Sequence, residues 1–307
     1  MLSLLHPDVV RCAGKLARRF SAGQPFRNVA IEPFVAPVLL SALQAQFPKF
    51  EERYARNERG QTGGKAVVPE IARLGSAYGQ FDRLMRDREF LALIGRITGL
   101  SGLLYDPDYA GGGTHENLDG QELDPHVDFN YHPRLRWHRR LNLILFLNPE
   151  WEQAWGGCLE LLPDPWAGNA TVYVPLANRA VIFETTESSW HGFRRIRTPP
   201  GREISRRSIA VYFYTKDRPS TETAPSHGTL YFQRPLPQRF QPGYTLTEDD
   251  VAEMQSLLAR RDGHMQFLYE READFSRLIE GITESPSFRL GRAITWPGRL
   301  LRERRRS

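Results

Sequence analysis

Asp124-Pro125-His126-Val127-Asp128-Phe129 is the stretch on which the reading of this 307-residue chain turns. Pro125 and the residue before it favour extended backbone. In an extended strand alternate side chains leave on one face, so His126 and Asp128 present an imidazole and a carboxylate to the same space. Two ligands hold a divalent ion poorly. A third is offered by Trp190-His191-Gly192, 191 − 128 = 63 residues beyond Asp128. Two histidines and one carboxylate on one face of an octahedron leave three positions open, the donor set of non-haem Fe(II) sites. A His-x-Asp pair alone is a weak signal, and a lone histidine is ordinarily a hydrogen-bonded structural residue. The weight rests on what lies between the ligands.

Short apolar strands lie there: Leu141 to Leu147, Cys158 to Leu162 after the Gly156-Gly157 turn, Ala180 to Glu184 before His191, and Ser208 to Tyr214 after Arg206-Arg207. Short strands separated by turns predict a jelly-roll barrel. Alternation along the first strand puts Leu141, Leu143, Leu145 and Leu147 on one face, predicted to pack on helices. Asn142, Ile144 and Phe146 then look into the barrel. Asn142 is the single polar side chain of that set, and a buried amide needs a partner. On the last strand Arg206, Ser208, Ala210 and Tyr212 share one face, and Arg207, Ile209, Val211 and Phe213 the other.

Together these motifs, PHVDF (125–129), RRLNLILFLNPEW (139–151), WGGCLEL (155–161), RAVIFETTESSWHGF (179–193) and RRSIAVYFY (206–214), make the segment from about Leu104 to Thr215 similar to a known core. It resembles that of the 2-oxoglutarate- and Fe(II)-dependent dioxygenases, in their prolyl-4-hydroxylase-like branch. The resemblance implies that His126, Asp128 and His191 bind Fe(II). It implies that Arg206, with Ser208, reaches the far carboxylate of 2-oxoglutarate, Arg207 being the alternative; a guanidinium meets a carboxylate with two parallel hydrogen bonds. Asn142 would face a cosubstrate carboxylate or a metal-bound water. Phe146 stands where relatives carry a tyrosine that helps hold 2-oxoglutarate. The implied fold is mainly β with flanking α: a double-stranded β-helix (jelly roll) core buttressed by N-terminal helices, plus a C-terminal helical extension. The implied activity is hydroxylation of an unidentified primary substrate with 2-oxoglutarate and O2, ascorbate serving as reductant. A prolyl side chain, a free amino acid and a sugar or lipid-linked intermediate are all open. The alternative is a non-catalytic jelly-roll binding module.

At 35.2 kDa, with 40% hydrophobic and 25% charged residues, the composition is that of a soluble globular protein. No apolar run approaches a membrane span, and the start lacks the features of a cleaved signal peptide. Two distant cysteines, Cys12 and Cys158, indicate no disulfide framework and predict a reducing, cytoplasmic setting. From Arg289 to Ser307 seven arginines and one glutamate give 7 − 1 = +6, against +5 for the whole chain. The surplus is therefore all in the tail, and no basic-aromatic face predicts nucleic-acid binding. Arginines beside Trp296, Leu300 and Leu301 suit peripheral contact with the inner face of an anionic membrane. A weak likeness of this end to the tails of bacterial glycosyltransferases and their cluster neighbours suggests surface-polysaccharide assembly.

Three regions are expected. Residues 1–100 form a helical and strand buttress, 101–217 the core, and 218–307 a Pro/Gly-rich linker, a helix and a basic tail. In the first, apolar spacing predicts helices over 1–22, 33–47 and 80–100, with a strand at 28–31 and a loop over 51–64. The triple glycine Gly111-Gly112-Gly113 predicts a turned loop at the mouth of the site. Of the four acidic residues in 116–124, a solvated loop is the favoured reading over substrate contact. His132 is expected in the pocket or just behind the ligands, and the basic run Arg134 to Arg140 on the surface. Trp151, Trp155 and Trp166 are expected to cover the barrel end or wall the substrate. Thr247-Glu248-Asp249-Asp250 predicts a helix start.

Overall fold

The computed structural model describes residues 1–49, 51, 66–166, 169–237 and 239–303. The expected loop over 51–64, past Glu51, lies outside them, as do the last arginines at 304–306. The chain divides into two compact units, Met1–Arg234 and Pro235–Ser307.

The first unit rests on two antiparallel sheets. Its strands are β1 (Asn28–Ile31), β2 (Ala66–Val68), β3 (Leu104–Tyr105), β4 (Gly113–Asn117), β5 (Leu123–Val127), β6 (His138–Phe146), β7 (Leu159–Leu162), β8 (Thr171–Tyr173), β9 (Ala180–Glu184), β10 (Trp190–Phe193), β11 (Arg206–Thr215) and β12 (Leu230–Tyr231). The larger sheet runs β1-β9-β6-β11-β4-β2, with β3 also on β11; the smaller runs β12-β5-β10-β7-β8. Phe146, Val181 and Phe183 of the larger sheet pack with Leu159 and Leu161 of the smaller in one buried cluster, so the two sheets face each other as jelly-roll walls. The outer face of the larger sheet carries Leu141, Leu143, Leu145, Ile209, Val211 and Phe213 in the same cluster as helix residues such as Phe81, Phe90 and Ile94. Each such fully buried leucine is worth about 1.5–3 kcal/mol, and this is what locks the register of β6. A one-residue slip would turn its leucines inward.

The buttress helices are α1 (Pro7–Arg11), α2 (Ala13–Ala22), α3 (Pro37–Ala45), α4 (Ser76–Met85) and α5 (Arg88–Thr98). Three differ from the spacing-based expectation. The helix expected over 1–22 is divided at Cys12, whose backbone leaves helical values. The one expected over 33–47 begins only at Pro37, because Phe34 and Val35 are held extended by their amides donating to Asn178 Oδ1. Val38, placed in its apolar stripe, is 84% exposed. The helix expected over 80–100 is two helices, since the Asp87 carboxylate caps α5 by accepting the Phe90 amide at 3.1 Å. Gly99 ends α5 in the left-handed conformation at φ 75°.

In the second unit α6 (Glu248–Glu284) is followed by α7 (Pro286–Glu303). Thr247 caps α6 reciprocally with Asp250: Thr247 Oγ1 accepts the Asp250 amide, and Asp250 Oδ2 accepts the Thr247 amide at 2.9 Å. No helix among the described residues is long and apolar enough to cross a membrane.

Candidate active site

Antiparallel pairing of β5 with β10 sets His126 directly opposite His191. The 63 residues between His191 and Asp128 are thereby cancelled by one cross-strand step, and the imidazole centroids stand 4.2 Å apart. Gly192 permits the approach: a Cβ there would sit 2.6 Å from the Leu123 carbonyl oxygen. Each ring is oriented by its own strand. His126 Nδ1 donates to Asp124 O and His191 Nδ1 to Ser189 O, both at 2.9 Å. A carbonyl can only accept, so the proton is on Nδ1 and Nε2 carries the lone pair, the atom that would ligate a metal. The two Nε2 atoms face Asp128, at 3.8 Å from its Oδ1 and 3.4 Å from its Oδ2. Ligand atoms of His126, Asp128 and His191 all lie within 4.8 Å of one another.

Asp128 is held from behind. Asn142 Nδ2 donates to its Oδ2 at 2.8 Å, and Arg139 Nη2 lies 2.9 Å from the same oxygen. Burial would raise this carboxyl; the Arg139 charge, the two histidines and the Asn142 amide outweigh it and hold it well below the usual carboxylate range. Asn142 Oδ1 in turn accepts from Arg139 Nε and Nη2 at 3.0 and 2.8 Å. The partner sought for Asn142 is thus Asp128 with Arg139, in place of a cosubstrate carboxylate or a water. Arg139 stacks on Tyr212, 3.5 Å from the ring centroid, and on Phe129 at 4.5 Å.

Arg139 overturns the expected surface run, for it is 1% exposed and Arg140 4%. Strict alternation from Asn142 aims residue 140 inward and 139 outward. The β11 partners pass from Leu141 to Arg139, skipping Arg140. That bulge turns Arg139 into the barrel.

Arg206 lies at the other end of the same wall. Its side chain is buried, Nε donates to Gly157 O at 2.6 Å, and Nη1 is 3.4 Å from Asn117 Oδ1. The guanidinium lies 4.4 Å from the Phe193 centroid and 5.1 Å from that of Phe146. Among the described residues no carboxylate opposes it. Burial therefore pushes it down to about 10, with only Cys158 acting against the shift. Ser208 is wholly buried one inward position along β11, and its Oγ has no hydrogen-bond partner among the described residues. Arg207 points the other way, to Glu116 Oε1 at 3.1 Å and over the Phe47 ring.

Several other expectations change. His132 is spent on fixed partners: Nε2 meets Asp106 Oδ1, just past β3, at 3.1 Å, and Nδ1 accepts the amides of Arg134 and Leu135 in its own loop. Glu116, assigned to a solvated loop, is 5% exposed on β4. Trp151 and Trp155 pack together with Phe193 and Ile196, while Trp166 is 65% exposed and meets Phe232. The segment after the core, expected to be irregular, adds β12 to the edge of β5, with Tyr231 opposite His126 and its ring 5.2 Å away. Backbone pairing alone places this strand, so periodicity carried no signal for it.

Residues 113–214 match the family model described as the 2OG-Fe(II) oxygenase superfamily. That span is the segment that builds the wall and carries both histidines. The chain thus carries the core of a 2-oxoglutarate-dependent oxygenase, whose cofactors are Fe(II) and 2-oxoglutarate. No curated protein sequence matches it. Among solved structures it is similar to a prolyl hydroxylase in complex with a hypoxia inducible factor peptide fragment, from Trichoplax adhaerens, at 13% identity and TM-score 0.46, covering 70% of this chain and 96% of that one. A Pseudomonas putida prolyl-4-hydroxylase is similar at 19% identity and TM-score 0.44, covering 66% and 100%. HygX from Streptomyces hygroscopicus, with nickel and 2-oxoglutarate bound, is similar at 10% identity and TM-score 0.46, covering 66% and 89%.

The side chains fit those cofactors. Two imidazole nitrogens and one carboxylate are a donor set for Fe(II) with positions left open. A dicarboxylate suits a buried guanidinium with no anion, and a buried hydroxyl with no partner, among the described residues.

Proposed function

We propose that His126, Asp128 and His191 hold Fe(II), that Arg206 and Ser208 receive the far carboxylate of 2-oxoglutarate, and that this chain hydroxylates a C–H bond of a further substrate. The observation that carries the reading is the convergence of the three ligand groups within 4.8 Å. The unopposed charge of Arg206 supports the cosubstrate's place. Fe(II) with 2-oxoglutarate and O2 would supply the oxidant: one oxygen atom goes to the succinate formed with carbon dioxide, the other to the substrate C–H bond.

The chain's own residues set the conditions for that chemistry. The carbonyls of Asp124 and Ser189 fix both imidazoles in the tautomer that ligates. Asn142 and Arg139 hold Asp128 through Oδ2, which fixes the carboxylate beside the two imidazoles. Phe146, Phe193 and Phe183 keep the interior dry, which strengthens the Arg206–carboxylate pairing. Tyr231 over His126 and the Trp190–Phe232–Trp166 row support a substrate that presents an apolar ring face, as a prolyl or sugar ring does.

The test is an anaerobic titration with Fe(II) and then 2-oxoglutarate, followed by succinate release on admitting oxygen. The wild type is expected to bind both and turn over 2-oxoglutarate. Full turnover by His126→Ala, or no binding by the wild type, would overturn the assignment.

A further inference from the structure

The long helix α6 has a second pattern that the oxygenase reading leaves unused. Over Val251 to Ile282 its residues repeat at alternating steps of three and four. One series is Val251, Leu258, Met265, Glu272 and Ile279; the other is Met254, Arg261, Leu268, Phe275 and Ile282. This is the a/d seam of a coiled coil, sustained over roughly 47 Å of helix. Eight of the ten positions are apolar. Val251, Leu258, Phe275 and Ile279 are each at least 42% exposed, as are Met265 and Leu268, so the stripe lies uncovered along the helix. An apolar seam of this length, interrupted at Arg261 and Glu272, calls for a partner on a solvated helix.

The two exceptions specify which partner. Arg261 and Glu272 carry opposite charges, and they are placed symmetrically about the midpoint of the seam. In an antiparallel pair a-positions face d-positions of the other helix. With both seams fully overlapped, facing residues sum to 533: Val251 with Ile282, Met254 with Ile279, Leu258 with Phe275, Arg261 with Glu272, and Met265 with Leu268. Each polar interruption meets its opposite charge, twice by symmetry. A parallel pair would instead set Arg261 against Arg261 and Glu272 against Glu272. The sequence therefore opposes the parallel arrangement and favours the antiparallel one.

We propose that α6 is a dimerisation helix that pairs antiparallel with α6 of a second copy of this chain. The dimer's interface is isologous, as a two-fold assembly requires. Its apolar layers supply affinity, and the Arg261–Glu272 layers set register and direction. This inference stands apart from the metal site, because none of these residues belongs to it.

The test is charge reversal in the full-length chain, read by sedimentation or light scattering. The wild type is expected to run at twice its 35.2 kDa chain mass. Arg261→Glu and Glu272→Arg, each alone, place like charges in facing layers and are expected to weaken the dimer on the order of a hundredfold. The double variant R261E/E272R restores the wild-type dimer, and an equimolar mixture of the two single variants forms a heterodimer. Circular dichroism shows that each variant keeps its helix. A wild type that stays monomeric at all concentrations overturns the proposal. So does a dimer that either single reversal leaves unchanged, the outcome for parallel pairing or for another interface.

Discussion

Replacing Arg206 by methionine separates what this residue does for the fold from what it does for a ligand. Its guanidinium is buried with no carboxylate beside it among the described residues, and its pKa is about 10 against an ordinary 12.5. Burying the charge thus costs the folded state roughly 3 kcal/mol. The folded chain holds this proton less tightly than the unfolded chain. Stability therefore rises with pH across the window from about 10 to 12.5, and at pH 7 the whole cost is present. Against it stand the bond to Gly157 O, worth about 1 kcal/mol, and two aromatic faces worth about 1 kcal/mol each. The terms nearly cancel. Arg206→Met is thus expected to shift urea-unfolding stability of the cofactor-free protein by no more than about 1 kcal/mol. Its affinity for 2-oxoglutarate, measured anaerobically by calorimetry, should fall far more. A ligand carboxylate left buried and unpaired costs about 2–5 kcal/mol, or roughly 30-fold to 4,000-fold in Kd. A loss of 3 kcal/mol or more in stability, or native 2-oxoglutarate affinity, would refute the reasoning.

Four further outcomes follow from the same geometry. His191→Ala and His126→Ala should each keep the native circular dichroism while losing stoichiometric Fe(II), measured by metal analysis after desalting. Arg139→Met leaves the Asp128 carboxylate buried without its cation and is expected to destabilise the protein by about 3–5 kcal/mol in denaturant unfolding. Gly157 sits at φ +65°, and an added Cβ would come within 3.3 Å of Arg206 Cδ; Gly157→Ala should weaken 2-oxoglutarate binding while Fe(II) binding persists. Tyr231→Ala removes the ring over His126 and should raise KM for the primary substrate with no change in Fe(II) or 2-oxoglutarate affinity, read by titration and initial rates.

Much of the core was legible in the chain because period-two alternation is a local property. The leucine face of β6 meets the helices and its Phe146 face meets the smaller sheet, as the spacing predicts. The shared inward face of Arg206 and Ser208 and the turn at Gly156-Gly157 were equally readable. Alternation ceased to be a guide at the Arg140 bulge, where one skipped residue reverses the direction of Arg139. Helix spacing likewise ran straight through Asp87, because the apolar stripe continues across the break while the cap that makes it is a single side chain.

The sequence alone determined that a His-x-Asp pair and a distant histidine sit among jelly-roll strands, and which faces of those strands are apolar. These follow from residue type and spacing. The tertiary structure decided what those residues meet. It set His191 opposite His126, spent the Asn142 amide on Asp128, left Arg206 without an acidic partner among the described residues, and laid Tyr231 over the site. Such meetings join groups separated along the chain through sheet pairing and side-chain contacts made only on folding, so the order of residues does not encode them locally.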